Sequence, residues 1–395
     1  MRKILLLILL SPIVAMSQPL GNYELSIQND AGDWLPFRIA FIEKSNQKVL
    51  QIINAQETIE LTPFSVQHDS AYFHFINYNA EIVFTNLNSD VLNGYWINHE
   101  STIARKREFI ASKLPASKSS TQNTSQDFAG KWKVTVQLPD RSYNAIFQFE
   151  QNNNKLTGTM RTKSGDYRYL EGEVHDNKFY VSTFMGNSIF QISGTLEQGR
   201  LIGNMLTTNS STTKFVAERD AKFELPALDM ITKKKNNLQF NLNLKDENGE
   251  LQNFSNLTKD KVTIVTIFGT WCPNCVDEID YFQLLQQKFP NLQIIAVAFE
   301  YADSEAEQQR RVQGFKNRKQ IKTQFLIGGK VSKDNVNSKF PMIDFSGIYP
   351  SSFLIDKKGK IKEIHTGFNG PATGILFEKY KEELEAEIGK LMKGK

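Results

Sequence analysis

Cysteine is nearly missing from this chain: of 395 residues only Cys272 and Cys275 carry a thiol. That count excludes a scaffold stapled by several disulfides. Histidine is sparse too. The five present, His68, His74, His99, His175 and His365, are scattered. The cysteines therefore find no second pair of ligands for zinc, and neither metal nor cofactor is expected. A surplus of one charge is also lacking. The formal charge is +4, and Arg2 and Lys3 supply two of those units in a segment expected to be removed, which leaves about +2. That is too little to argue for a nucleic acid or an anionic membrane as partner. Long apolar runs are absent beyond the first residues, so no integral membrane protein is expected. What remains is ordinary globular composition, 40% hydrophobic and 23% charged, with 28 Phe and 12 Tyr that suit β sheet. The length allows two or three domains.

The chain opens "MRKILLLILLSPIVAMSQ". A basic start, an apolar run and the small residues Ala15 and Ser17 read as a secretory signal peptide over 1–17. The run falls short of the ~20 residues a spanning helix needs, and Pro12 interrupts it. No cysteine lies near its end to accept a lipid. The mature chain is expected to be a soluble protein of the periplasm or another oxidising extracytoplasmic compartment.

Residues 18–112 and 128–218 read as β-rich. Short period-two runs such as "QKVLQIINA", "AEIVFTNL", "GKWKVTVQL" and "SIFQISGTL" are separated by Asn, Asp and Ser. Between them, 113–127 is poor in large apolar residues and reads as a Ser/Thr/Gln-rich linker or loop. The two blocks repeat faintly, from His68 and from His175. They are expected to be similar halves packed as one sandwich or barrel. A linker over 219–236, with its solvated Lys233-Lys234-Lys235, leads to 237–395. There strand-like runs alternate with helix-like ones, which argues for an α/β domain with a largely parallel sheet.

The two cysteines sit in "FGTWCPNCVDEI", between an apolar strand "KVTIVTIF" and an amphipathic helix. Cys272 falls at the helix N-cap and Pro273 at the first helical position, where a missing N–H costs nothing. Unpaired backbone donors and the positive end of the helix dipole then favour thiolate over thiol at Cys272. Cys275, one turn on, can reach back. The pattern predicts an exposed nucleophile, a more buried resolving thiol, and a catalytic couple able to close as a disulfide. A structural disulfide across two residues would constrain almost no chain entropy. Two inert thiols fit poorly with an exported protein.

Further on, "IYPSSFLIDKKGKIKEIHTGF" places Tyr349-Pro350 before a strand. Proline marks the entry of that strand, and X-Pro is the peptide bond that readily adopts cis. With these pieces in place, 237–392 resembles the TlpA-like thiol–disulfide oxidoreductases of the thioredoxin superfamily. "FGTWCPNCVDEI", "YPSSFLIDKKGKI" and "HTGFNGPATG" carry the resemblance. It implies a thioredoxin-like domain in which Cys272 attacks, Cys275 resolves and Tyr349-Pro350 forms a cis-proline loop facing the disulfide. Trp271 would shield the couple. Glu278 occupies the place of a recurrent family glutamate and would accept a proton. The implied partners are a protein or small-molecule disulfide and a membrane thiol electron donor. "TKSGDYRYLEG" and "FYVSTFMGNSIF" resemble N-terminal extensions of some exported family members.

There are departures. Thioredoxin's buried Asp is replaced by Thr266, and Asp280 stands where the family often has Pro. His365 reads as a surface or packing residue. Two rivals compete with a disulfide reductase. A peroxiredoxin-like thiol peroxidase would keep Pro and Thr seven and three residues before the cysteine, where Val265 and Gly269 stand. Alternatively, the β region is the main functional part, as a binding module. On the first point of this reading, N-terminal sequencing of the exported protein should begin near Gln18. Recovery of Met1 on membrane-bound material would count against cleavage.

Overall fold

The computed structural model describes residues 20–394 apart from 68–69, 88–90, 101–104, 116–125, 209, 228–230 and 236–241. The expected signal peptide over 1–17, His68, most of the expected 113–127 linker and the start of the α/β domain lie outside the described residues.

Two nine-stranded sheets make up the N-terminal region. The first runs in space from Glu57–Leu61 through Gln47–Asn54, Trp34–Lys44, Gly21–Gln28, Arg105–Lys113, Val91–Asn98, Ala80–Phe84 and Ser70–His74 to Pro63–Gln67. All its pairings are antiparallel. The second sheet closes into a barrel, because Ser142–Asn152 pairs with Gly130–Gln137 on one side and Lys155–Thr162 on the other. The period of two is visible in burial. Tyr23, Leu25 and Ile27 point inward from one strand, and Trp132, Val134 and Val136 from another. Aromatic side chains fill both interiors, with Phe41, Phe73, Phe84 and Phe109 in the first and Phe147, Phe149, Phe179 and Phe215 in the second.

The expected sandwich or barrel takes the form of two sheets, one to each half, of which the second closes into a barrel by itself. Each half pairs its own strands and fills its own interior. A half that closes on itself needs no partner to cover its apolar face. The halves meet instead at their ends. Phe184, at the end of strand Lys178–Phe184 of the barrel, inserts among Phe37, Phe75 and Trp96 of the first sheet, with ring centroids 4.4, 5.5 and 6.0 Å away. Its backbone is held by the Asn54 side chain, which donates to the carbonyl at 3.1 Å and accepts from the N–H at 3.0 Å.

The C-terminal domain has a five-stranded sheet in the order Gln324–Lys330, Gln293–Glu300, Thr263–Phe268, Ser351–Ile355, Ile361–Thr366. The first three strands are parallel and the last two antiparallel. The central strand Thr263–Phe268 is buried at every position, as its unbroken apolar and β-branched run predicts. Helices Pro273–Lys288, Glu305–Lys319 and Ile375–Lys393 flank the sheet. Lys233 and Lys234 are exposed, but they form a short strand against Ile343–Asp344 rather than a free linker face. Among the described residues no helix is long and apolar enough to cross a membrane.

Candidate active site

The central strand delivers the chain to Gly269-Thr270-Trp271. A Cβ on Gly269 would collide with the Trp271 indole, so glycine lets the ring fold back over the turn. The indole N–H donates to the Phe299 carbonyl at 2.9 Å, and the ring lies 4.6 Å from that of Tyr301 and 5.2 Å from that of Tyr349. Cys272 caps helix Pro273–Lys288 from an extended conformation, with Pro273 in the first turn. The Cys275 N–H points at the Cys272 sulfur, 3.4 Å away. The couple is in its dithiol form. Cys275 is fully buried. Burial, then the hydrogen bond with Cys272 and the nearby Cys272 and Glu278 charges, push its thiol well above the ordinary range.

Glu278 has no exposed surface, which rules out a solvated glutamate. Thr266 Oγ1 donates to its Oε2 at 2.7 Å and Ser352 Oγ donates to its Oε1. Burial pushes it up to about 7, with these two hydrogen bonds working in the other direction. Thr266, at the place of thioredoxin's Asp, thus anchors the Glu278 carboxyl. The Tyr349–Pro350 bond is cis, and Gly367 N–H donates to the Pro350 carbonyl at 2.7 Å. The fold brings Trp271, Cys272, Pro273, Cys275, Glu278, Tyr349 and Pro350 together. His365 stays apart, packed on Tyr380 with ring centroids 4.4 Å apart. Asp280 pairs with Lys319 at 2.8 Å.

Glu300 escaped the sequence reading. It ends strand Gln293–Glu300, is fully buried, and accepts from the Thr270 N–H at 2.8 Å and the Thr270 hydroxyl at 2.7 Å. Burial pushes it up to about 8. One acid closing an otherwise apolar strand, "QIIAVAFE", was the available signal.

The expected exposure of the nucleophile does not hold: Cys272 is only 6% exposed. Segments of the β region pack against the residues around it. Ser164 O accepts from the Asn274 side chain at 3.2 Å and from Phe368 N–H at 3.3 Å. Gly165, at φ +128°, bridges to Phe368. A Cβ there would collide with the Phe368 carbonyl and the Asn274 amide. Asp166 Oδ1 accepts from Gly370 N–H at 2.6 Å. Asn187 Nδ2 donates to the Trp271 carbonyl at 3.1 Å. Arg168 completes the seam by pairing with Asp277 at 2.7 Å and with Glu57 of the first sheet. Burial works against the Arg168 charge, but the Asp277 and Glu57 carboxylates outweigh it and hold the guanidinium above its ordinary range.

Replacing Arg168 by Met should leave Asp277 without its cation and Glu57 with only the Asn54 amide, both largely buried, at a cost of up to about 3–5 kcal/mol. Burial already pushes Asp277 up to about 7 against the pull of Arg168, and losing the cation raises it further, so the variant's stability falls more steeply as pH rises. Denaturant unfolding should therefore show a larger deficit at pH 8 than at pH 5. Equal deficits would argue against the charge pairing.

Residues 236–364 match the AhpC/TSA family. The chain is 26% identical over 125 residues to the thioredoxin-like protein YneN of Bacillus subtilis, covering 31% of this chain and 66% of that one. It is 27% identical over 133 residues to the thiol-disulfide oxidoreductase ResA of Bacillus cereus, covering 34% and 65%. It thus spans just under two thirds of the length of these curated relatives. Among solved structures, a thiol-disulfide isomerase from Corynebacterium glutamicum is similar at 18% identity and a TM-score of 0.32, over 40% of this chain and 99% of that one. The C-terminal part of the chain is thus similar to the AhpC/TSA family and to thioredoxin-like and thiol-disulfide oxidoreductase proteins, and a large β-rich region precedes it.

Proposed function

We propose that this chain is an exported thiol–disulfide oxidoreductase, acting as a protein disulfide reductase through Cys272 and Cys275. The observation that carries the reading is the couple itself: Cys272 at a helix N-cap, with the Cys275 N–H on its sulfur and the buried Glu278 within electrostatic reach of Cys275. The curated relatives, one of them named a thiol-disulfide oxidoreductase, support it.

In this reading the Cys272 thiolate attacks one sulfur of a substrate disulfide. The substrate S–S bond breaks, one sulfur leaves as thiolate, and the other stays bonded to Cys272 as a mixed disulfide. Cys275 passes its proton to Glu278 and attacks the Cys272 sulfur. The second substrate thiolate departs and the couple closes as a disulfide. Two electrons have moved to the substrate, and a membrane thiol donor restores the dithiol. Proton acceptance fits a carboxyl poised near neutrality. Glu300 fixes the Thr270 backbone, and through it the turn carrying Cys272. A binding module as the main function finds less support, since Trp34 is the one exposed large aromatic of the β region among the described residues.

With Cys275→Ser, a disulfide-bearing peptide should be trapped on Cys272, as read by mass spectrometry. Rapid turnover of peroxide with no trapped disulfide would replace this reading by a thiol peroxidase. Glu278 must be ionised to accept a proton, so resolution of the mixed disulfide should speed up as pH rises through about 7. Glu278→Gln should lose that inflection and slow resolution by on the order of 10²-fold. An unchanged profile would remove Glu278 from the mechanism.

A further inference from the structure

We propose that Ser352 and His365 carry the proton taken up by Glu278 out to solvent, along a row of side chains that leads away from the cysteines. The proposal rests on Glu278 accepting the Cys275 proton.

Glu278 has no exposed surface, so a proton it accepts has to leave through a neighbour. Among the described residues its hydrogen-bond partners are two hydroxyls, Thr266 on Oε2 at 2.7 Å and Ser352 on Oε1. Thr266 lies in the central strand with no exposed surface of its own. Ser352 keeps a little, and it lines a cleft of about 1140 Å³ that strand Ile361–Thr366 and helix Ile375–Lys393 also line. The way past the cysteines is closed, since Cys275 is fully buried and a bound substrate covers Cys272.

Sheet register supplies the next member of the row. Ser352 stands directly opposite Thr266 on one side and His365 on the other. Residues paired in this way share a face of the sheet, with Cβ atoms about 5 Å apart. Helices Pro273–Lys288 and Ile375–Lys393 meet each other through Tyr281 and Tyr380, whose ring centroids are 5.9 Å apart. His365 is half-buried, lines the same cleft as Ser352, and is held against the Tyr380 ring with centroids 4.4 Å apart. An imidazole both takes and gives a proton near neutrality, which suits it to the mouth of such a route. The cleft has room for water between the two polar side chains. The transfer balances. Protonated Glu278 donates to Ser352 Oγ while the Ser352 hydroxyl proton passes through cleft water to the neutral His365 ring. The imidazolium then gives its proton to bulk water. Glu278 is left as carboxylate, and Ser352 and His365 end as they began.

A single turnover of the reduced full chain with dithiobis(nitrobenzoate) reads the steps apart, because its thiols leave as coloured thiolates that stay ionised near neutrality. The first thiolate marks attack by Cys272 and the second marks resolution by Cys275. A fluorescent pH indicator in dilute buffer records the proton that accompanies the second. His365→Phe keeps a ring against Tyr380 and removes the proton carrier. It should release both thiolates at native rates and delay that proton by on the order of 10²-fold. His365→Ala should show the same delay, and added imidazole should abolish it. A native proton rate in folded His365→Phe overturns the proposal, since packing on Tyr380 is then all that the ring supplies. Should His365→Phe fail to fold, His365→Ala decides, and a delay that imidazole leaves unchanged overturns the relay. A native protein that never releases the second thiolate would instead refute the reductase reading, and this proposal with it. A second thiolate at the native rate with no change in proton release refutes the relay alone.

Discussion

One largely buried cation joins the three parts of this molecule. Arg168 leaves the barrel and pairs with Asp277 on the cysteine-bearing helix and with Glu57 on the first sheet. A guanidinium suits the place because its planar fork can serve two carboxylates at once. Desolvating three charges is expensive, so the arrangement stands only with every partner present. Asp277 lies two residues after Cys275. The charge pairing therefore bears directly on where the helix N-terminus, and with it the couple, sits relative to the β region. Gly165, Asp166 and Asn187 make the same seam with backbone and amide contacts to Phe368, Gly370 and Trp271.

That seam changes the environment of the sulfurs. A Cys-x-x-Cys at a helix N-cap would ordinarily offer its first thiol to solvent, but here the β loops leave Cys272 barely exposed. Lower dielectric strengthens each fixed dipole and hydrogen bond around the sulfur. Within the α/β domain, burial pushes Glu278 up to about 7 and Glu300 up to about 8. Each carboxyl is held by hydroxyl or amide donors rather than by a cation, apart from the weak influence of Arg311 on Glu300. The β region thus bears on the chemistry through what it excludes as well as through what it touches.

Much of this was legible in the sequence. Period-two runs gave the β strands, and an unbroken apolar run gave the central strand of the α/β domain, because burial on one face or both leaves different patterns. The N-cap cysteine, Pro273 and Tyr349-Pro350 were legible because special backbone positions demand special residues. The seam was not. Gly165 lies in a two-residue strand, and Arg168 and Asn187 in irregular segments, where no periodicity marks a tertiary contact, and each acts through a partner about 80 to 200 residues away. Two separate sheets instead of one shared system were equally hidden, since pairing choices among similar antiparallel strands leave the alternation unchanged.

The central claim, that Cys272 and Cys275 act as one redox couple within this covered site, is tested most directly by equilibrium titration. The full chain would be brought to equilibrium in graded dithiothreitol buffers, its free thiols trapped, and its intact mass recorded. Both thiols should disappear together in one two-electron step, with a tenfold change in the ratio of forms for about 30 mV. Thiols that titrate separately, or that stay free across the whole range, would contradict it.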